Sequence, residues 1–316
     1  MHESLWVWGL FGALVLAMLA LDLGALRRTE GEQSLRSATL WSAAWIGVGL
    51  GFGGIVFSLY GSDAALMYYT AYALEKSLSV DNIFVFVLIF AELQIPAAEQ
   101  RRVLYWGVLG ALVMRAIFIA LGVFLLARFH WIIYPFAALI LFAAVRILFG
   151  QEKERQVVVG ACAVCSTWVA RIIPITPVLR GHHFWVRQNG RLLATPLFIA
   201  LVLVEVTDAV FALDSIPAVF AVTQDPFLIY TSNIFAMLGL RSLYILLGGA
   251  ISRLRYLRFG LAFILAFVGV KLLLGDVVEI PAWVSLSVIL GAVAASAAFS
   301  LMMIPAQPSP QKLEKA

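Results

Sequence analysis

The stretch Ile83-Phe84-Val85-Phe86-Val87-Leu88-Ile89-Phe90 is apolar at every position. A strand in a membrane barrel alternates apolar and polar residues, because one face meets lipid and the other a wet lumen. An uninterrupted run instead suits a helix, which satisfies its own backbone hydrogen bonds inside a bilayer. From here the apolar character extends back to Ala64. Comparable stretches of ~20 residues, the length that crosses a hydrocarbon core, recur along the chain between short polar breaks. The composition agrees. Of 316 residues, 63% are hydrophobic and 13% charged, and the mean hydropathy is +0.98, against roughly half apolar and a quarter charged in soluble domains. A water-soluble fold is excluded, and the expected class is an all-α, polytopic transmembrane helical bundle.

The apolar runs predict nine spans, near residues 5–26, 38–59, 64–90, 103–127, 131–149, 192–222, 227–251, 259–274 and 282–304. A transmembrane domain over 1–306 is therefore expected, with a connection over about 150–191 and a tail over 307–316. The first run has His2 and Glu3 before it and Arg27 and Arg28 after it, the reverse of a secretory signal. It is expected to be retained, with the N-terminus outside. That orientation gathers sixteen basic residues in the inner loops and tail. Outside it leaves Arg128 alone, alongside Asp63, Asp225, Asp276 and Glu279. The positive-inside rule then makes the connection and the C-terminus cytoplasmic. The pI near 9.2 reflects this sidedness, and no nucleic-acid partner is needed to explain it. An apolar segment at 157–173 is short and punctuated by Arg171 and Pro174, so it is expected to lie at the membrane interface.

Five acids, Glu75, Asp81, Glu205, Asp208 and Asp214, fall near the middles of the third and sixth predicted spans. At ~2.5–3.5 kcal/mol per ionised group, five would cost on the order of 12–18 kcal/mol unless neutralised. Lys76, Arg115, Arg146, Arg241 and Lys271 share that depth. Ion pairing alone would pin helices together, but an ionisable group within a membrane is by default a functional-site hypothesis. Ser77, Ser79, Asn82, Thr207, Ser215 and Asn233 add polar atoms near the acids and suggest a wet cavity.

The spacing repeats. Glu75 and Asp81 are six residues apart, as are Asp208 and Asp214, and each later Asp is followed two positions on by Ile, in Asp81-Asn82-Ile83 and Asp214-Ser215-Ile216. The next span carries Arg115 in one case and Arg241 in the other, and the span after that Arg146 and Lys271. Spans three to five (about 64–149) and six to eight (about 192–274) thus read as inverted three-helix repeats, the plan of secondary transporters. Six residues rotate a side chain by about 240° and lift it about 9 Å, so an undistorted helix cannot chelate one ion with such a pair. Pro217 is expected to open the sixth span beside the acids. The expected metal ligands are Glu75, Asp81, Asn82, Glu205, Asp208 and Asp214. These hard oxygen donors suit Mn2+, Mg2+ or Ca2+, and no His or Cys falls in the spans. Crowded carboxylates take up protons when no metal is present, so arrival of metal would release protons and permit exchange. Neither enzyme chemistry nor an organic cofactor is expected.

Cys162-Ala163-Val164-Cys165 and His182-His183 form the other candidate motif. Adjacent histidines lack metal-ligand spacing and the cysteines sit in an apolar segment, so packing and a loop role are expected. Trp6, Trp8, Trp131 and Trp283 read as interface anchors.

Glu75-Lys76-Ser77-Leu78-Ser79-Val80-Asp81-Asn82 and the stretch from Glu205 through Asp208 and Asp214-Ser215-Ile216-Pro217-Ala218 to Asp225-Pro226 resemble the two signatures of the TerC/Alx family. The likeness extends to Thr231-Ser232-Asn233, Gly239-Leu240-Arg241 and the loop around His182-His183-Phe184. It implies a bacterial inner-membrane protein linked to manganese export and to supplying metal to exported proteins. Older descriptions add tellurium resistance or redox modulation. The family's intramembrane acids carry over onto Glu75, Asp81, Glu205, Asp208 and Asp214. Arg146 departs from relatives, which usually have Lys there, but keeps the charge. The leading expectation is Mn2+ efflux in exchange for protons. The alternatives are a redox or tellurium-resistance component and a metal-donating partner for exported proteins.

Overall fold

The computed structural model describes residues 5–28, 35–149, 153–176, 179, 181–188, 190–248, 256–275, 277, 278 and 280–302. Ten helices make up almost all of it: α1 (Leu5–Arg28), α2 (Leu35–Glu92), α3 (Ala97–Arg128), α4 (Ile133–Phe149), α5 (Lys153–Ile172), α6 (Pro196–Phe220), α7 (Pro226–Met237), α8 (Leu240–Gly248), α9 (Leu257–Leu274) and α10 (Ala282–Met302). A single 3-10 turn at His130–Ile132 joins α3 to α4. The expected tail at 307–316 lies outside the described residues.

Unbroken, the 58 residues of α2 would run about 87 Å, nearly three times a hydrocarbon core. The helix is instead a hairpin. Gly61 has φ 84° and ψ −176°, a region essentially closed to residues with a Cβ. The Tyr68 hydroxyl donates to the Gly49 carbonyl and that of Tyr69 to Leu50, each at 2.9 Å. Along a straight helix those partners, 19 residues apart, would stand about 28 Å away. The two legs match the second and third predicted spans.

By length and composition, six helices among the described residues can cross a membrane, or seven if α7 and α8 form one bent span. Nine were expected. The difference arises at α2, which counts once although it folds back, and at α4, which has 17 residues. The span expected over 227–251 is also broken. α7 ends at Met237 with Leu238 as its cap, Gly239 takes φ 83°, and α8 leaves at 42°. By contrast α6, where Pro217 was expected to open the backbone, runs continuously to Phe220. Pro217 falls in its last turn, where its missing N–H takes the helical donor from the Leu213 carbonyl, yet the helix carries on to Phe220 without unwinding.

The connection is more structured than the sequence suggested. α5 is a shorter apolar helix outside the candidate spans, packed on α2 and α6. After it comes a two-stranded antiparallel pair, β1 (Trp185–Gln188) and β2 (Arg191–Ala194), in which Gln188 faces Arg191; the intervening sequence, Asn-Gly, is a dipeptide that favours two-residue turns. β2 takes 192–194, the first residues expected for the sixth span, and α6 starts at Pro196.

In the bundle, α3 packs on α6, α2 on α6, α7 and α8, α4 on α6 and α9, and α10 on α2 and α9. Small residues permit the close α3–α6 approach. Gly107 and Gly122 of α3 lie against Val204 and Phe220 of α6, the small-residue contact expected where lipid supplies no hydrophobic drive. One apolar core joins α1, α2 and α7 through Phe11, Phe52, Tyr68, Phe227 and Phe235, and the other fills the space between α4, α9 and the end of α6. α1 lies along the broken span, with Trp8 and Phe11 on α7 and Asp22 bonded to Arg241 of α8.

Candidate functional site

Helix geometry sorts the central polar residues into two layers. Glu75 and Asn82 are seven apart, close to two turns, so they lie on one stripe of α2, and Asp208 and Ser215 do the same on α6. All four side chains are buried. Asp81 and Asp214, one residue earlier than Asn82 and Ser215, point about 100° aside.

The stripes meet around Arg115 of α3, which is 2% exposed. Its guanidinium forms an ion pair with Glu75 and lies 3.7 Å from Asp208. It also donates to the Asn233 side-chain oxygen on α7 and, at 3.4 Å, to the Ser215 hydroxyl. The Asn82 amide reaches Asp208 at 3.5 Å, the outer edge of a hydrogen bond. One cation thus ties together four helices. Some capacity is unused, since Glu75 Oε2, Asp208 Oδ2 and Arg115 Nε lack hydrogen-bond partners among the described residues.

About 9 Å along the helices, six residues on, Asp81 and Asp214 line one small cavity with Asn82, Ser215, Arg146 and Leu78. Its volume is about 20 Å3, room for about one water-sized occupant. Two carboxylates, an amide and a hydroxyl are hard donors of the kind Mn2+, Mg2+ and Ca2+ accept. A small hard ion that keeps several waters needs only one or two protein carboxylates. Asn82 and Ser215 face the cavity and also touch the Arg115 cluster, which makes the two layers contiguous.

The six expected ligands therefore do not converge on one point. Glu75 and Asp208 sit with Arg115, and Asp81 and Asp214 sit at the cavity with Asn82 between the pairs. The Glu205 carboxylate lies apart, against the backbone of α3 at Gly110. Among the described residues no three His, Cys, Asp or Glu side chains gather closely enough to hold a metal ion.

The five central cations also divide. Arg115 and Arg146 accompany the acids. Lys76 turns instead to α7, donating to the carbonyls of Ala236 at 3.0 Å and Leu238 at 3.5 Å. Arg241 bonds Asp22 at 2.8 Å, and Lys271 bonds the Ser285 hydroxyl at 2.8 Å. Sequence reasoning passed over Asp22, although an acid inside a predicted span was itself a signal. It also passed over the break at Gly239, for which a glycine before Leu240-Arg241 was the only hint.

Away from the bundle centre, His182 Nδ1 lies 2.5 Å from a carboxylate oxygen of buried Glu99 at the start of α3, and Arg102 lies over the Phe184 ring. Cys162 is buried against Ile89, Ile199 and Leu203, and Cys165 is half-buried. Burial, with smaller contributions from Glu92 and Cys165, pushes the Cys162 thiol up to about 11. Burial also raises Cys165. Reactive thiols need the opposite shift.

Comparison with known proteins gives a consistent result. An uncharacterized membrane protein of Myxococcus xanthus is 50% identical over 296 residues, covering 94% of this chain and 92% of its own. The "Putative membrane-bound redox modulator Alx" of Escherichia coli (strain K12) is 42% identical over 294 residues, 90% of this chain and 91% of its own. An uncharacterized membrane protein of Rickettsia bellii is 38% identical over 281 residues, 89% and 92% of the two chains. No solved structure matches. Residues 60–307 match the profile described as "Integral membrane protein TerC family". With four-fifths of its length inside that match, this multi-pass integral membrane protein belongs to the TerC family.

Proposed function

We propose that the chain transports a divalent cation, with Mn2+ the preferred cargo, out of the cytoplasm across a bacterial inner membrane in exchange for protons. The observation that carries this reading is the cavity shared by Asp81 of α2 and Asp214 of α6. Two carboxylates from different helices around a space for one small occupant form a site that an ion can enter and leave, as conduction requires. The packing supports an inverted-repeat plan. Exchanging the second leg of α2, α3 and α4 for α6, α7–α8 and α9 turns the α3–α6 contact into α7–α2 and the α4–α6 contact into α9–α2. The α4–α9 contact maps onto itself, and all of these contacts are present. Arg115 offsets one of the two negative charges of Glu75 and Asp208 beside the cavity, and Arg146 brings a second cation to the cavity wall with Asp81 and Asp214.

Inverted membrane vesicles carrying the protein should accumulate Mn2+, and Asp214→Asn or Asp81→Asn should abolish uptake. Uptake that survives both substitutions defeats the proposal. The name of the Escherichia coli relative and the Cys162 and Cys165 pair suggest a redox role instead. A buried thiol pushed up to about 11 is poorly suited to exchange, and replacing both cysteines by Ser should leave transport unchanged.

A further inference from the structure

We propose that the Lys76 ammonium is a built-in monovalent cation, occupying at the break between α7 and α8 the place where a free alkali ion would otherwise bind. When a helix ends, its last carbonyls lose their intrahelical donors and carry the negative pole of the macrodipole. In water solvent satisfies them. Inside a bilayer each unmet group costs several kcal/mol, and many transporters answer with a sodium ion on the unwound carbonyls of a discontinuous helix.

Here the break is deep in the bundle. Every residue from Thr231 to Leu238 is buried, Gly239 takes φ 83°, and a Cβ at Gly239 would meet the Trp45 side chain at 2.7 Å. The Leu238 amide closes on the Ile234 carbonyl, and the Gly239 carbonyl accepts from the Leu243 amide and the Ser242 hydroxyl. The carbonyls of Ala236 and Leu238 receive the Lys76 ammonium at 3.0 and 3.5 Å. An ammonium on two convergent carbonyls imitates an alkali ion in charge and in ligand type.

Sequence position gives the arrangement a purpose. Lys76 follows Glu75, and the residue that corresponds to it in the second acidic segment, after Asp208, is Ala209. The cation is therefore present on one side of the bundle only, where the broken helix lies. It is covalently held, so the bend needs no dissolved sodium or potassium. α7 is consequently fixed by two cations, Arg115 through Asn233 and Lys76 through its end.

The test is the thermal unfolding of purified full-length protein, followed by tryptophan fluorescence without divalent ions, in choline, sodium and potassium chloride of equal ionic strength. The parent should melt alike in all three salts. Lys76→Met should melt lower in choline and recover by at least ~3 °C, saturably, in sodium or potassium. Lys76→Arg should show no alkali preference. Lys76→Gln, whose amide still donates to the carbonyls, carries the same expectation as Met and guards against a variant that fails to fold. Equal melting of Met and Gln variants in the three salts, lowered or not, overturns the proposal, as does failure of both to fold in every salt. Because no cargo ion is present, this result is independent of the transport assay.

Discussion

Replacing Arg115 by Met isolates what the buried cluster contributes. The substitution keeps most of the volume and removes the guanidinium that pairs with Glu75, which is fully buried, and that lies near Asp208, 2% exposed. Breaking a buried pair by deleting one partner costs ~3–5 kcal/mol, because the other charge is left unsolvated. Larger chains lose ~2 °C of melting temperature per kcal/mol, so Arg115→Met should melt roughly 6–10 °C below the parent. The second arm is Glu75→Gln in the same chain. It removes the stranded charge while retaining the shape, and should recover at least half of the loss. Both variants would be measured in one detergent by tryptophan fluorescence. If Arg115→Met melts within ~2 °C of the parent, or if adding Glu75→Gln lowers it further, the cluster does not hold the helices as described.

Two further outcomes follow from local features. Gly61→Ala should destabilise by ~1–3 kcal/mol, since φ 84° with ψ −176° is essentially a glycine conformation while open space around a new Cβ leaves backbone strain as the whole cost; parental thermal melting of the variant would show that the hairpin does not depend on that conformation. With the Cys162 thiol pushed up to about 11, about one in a thousand is ionised at pH 8, against roughly a quarter of free thiols. Iodoacetamide labelling followed by peptide mass spectrometry should then be ~200-fold slower than for free cysteine and rise about tenfold per pH unit toward pH 11, because only the thiolate reacts; labelling at the free-thiol rate at pH 8 refutes the burial argument.

The helical class was legible because apolar runs report directly on the solvent around a chain. The hairpin legs were legible for the same reason, although nothing in residues 38–90 distinguishes one bent helix from two separate ones. Spacing also paired Asp81 with Asp214, and the two line one cavity. It did not reveal that a seven-residue stripe sends Glu75 and Asp208 to Arg115 while their partners turn to the cavity, because that depends on how the helices are rotated in the bundle. Equal numbers of cations and acids suggested mutual pairing. Yet Lys76, Arg241 and Lys271 serve a carbonyl end, Asp22 and a serine, since a long side chain goes to whichever unmet group is nearest in space. Pro217 misled for a positional reason, as it lies three residues before Phe220 and only one turn of helix remains beyond it to be redirected.

The family match begins at residue 60, and some of the residues that brace the fracture in the α7–α8 span lie ahead of it. α1 acts as a splint, lashed to one fragment by Trp8 and Phe11 and to the other by Asp22, while Trp45 wedges the joint itself. Part of the stiffness of that joint is therefore set by residues ahead of the profile match, alongside Lys76 within it, and exchanging them would retune the bend while leaving every central charge in place.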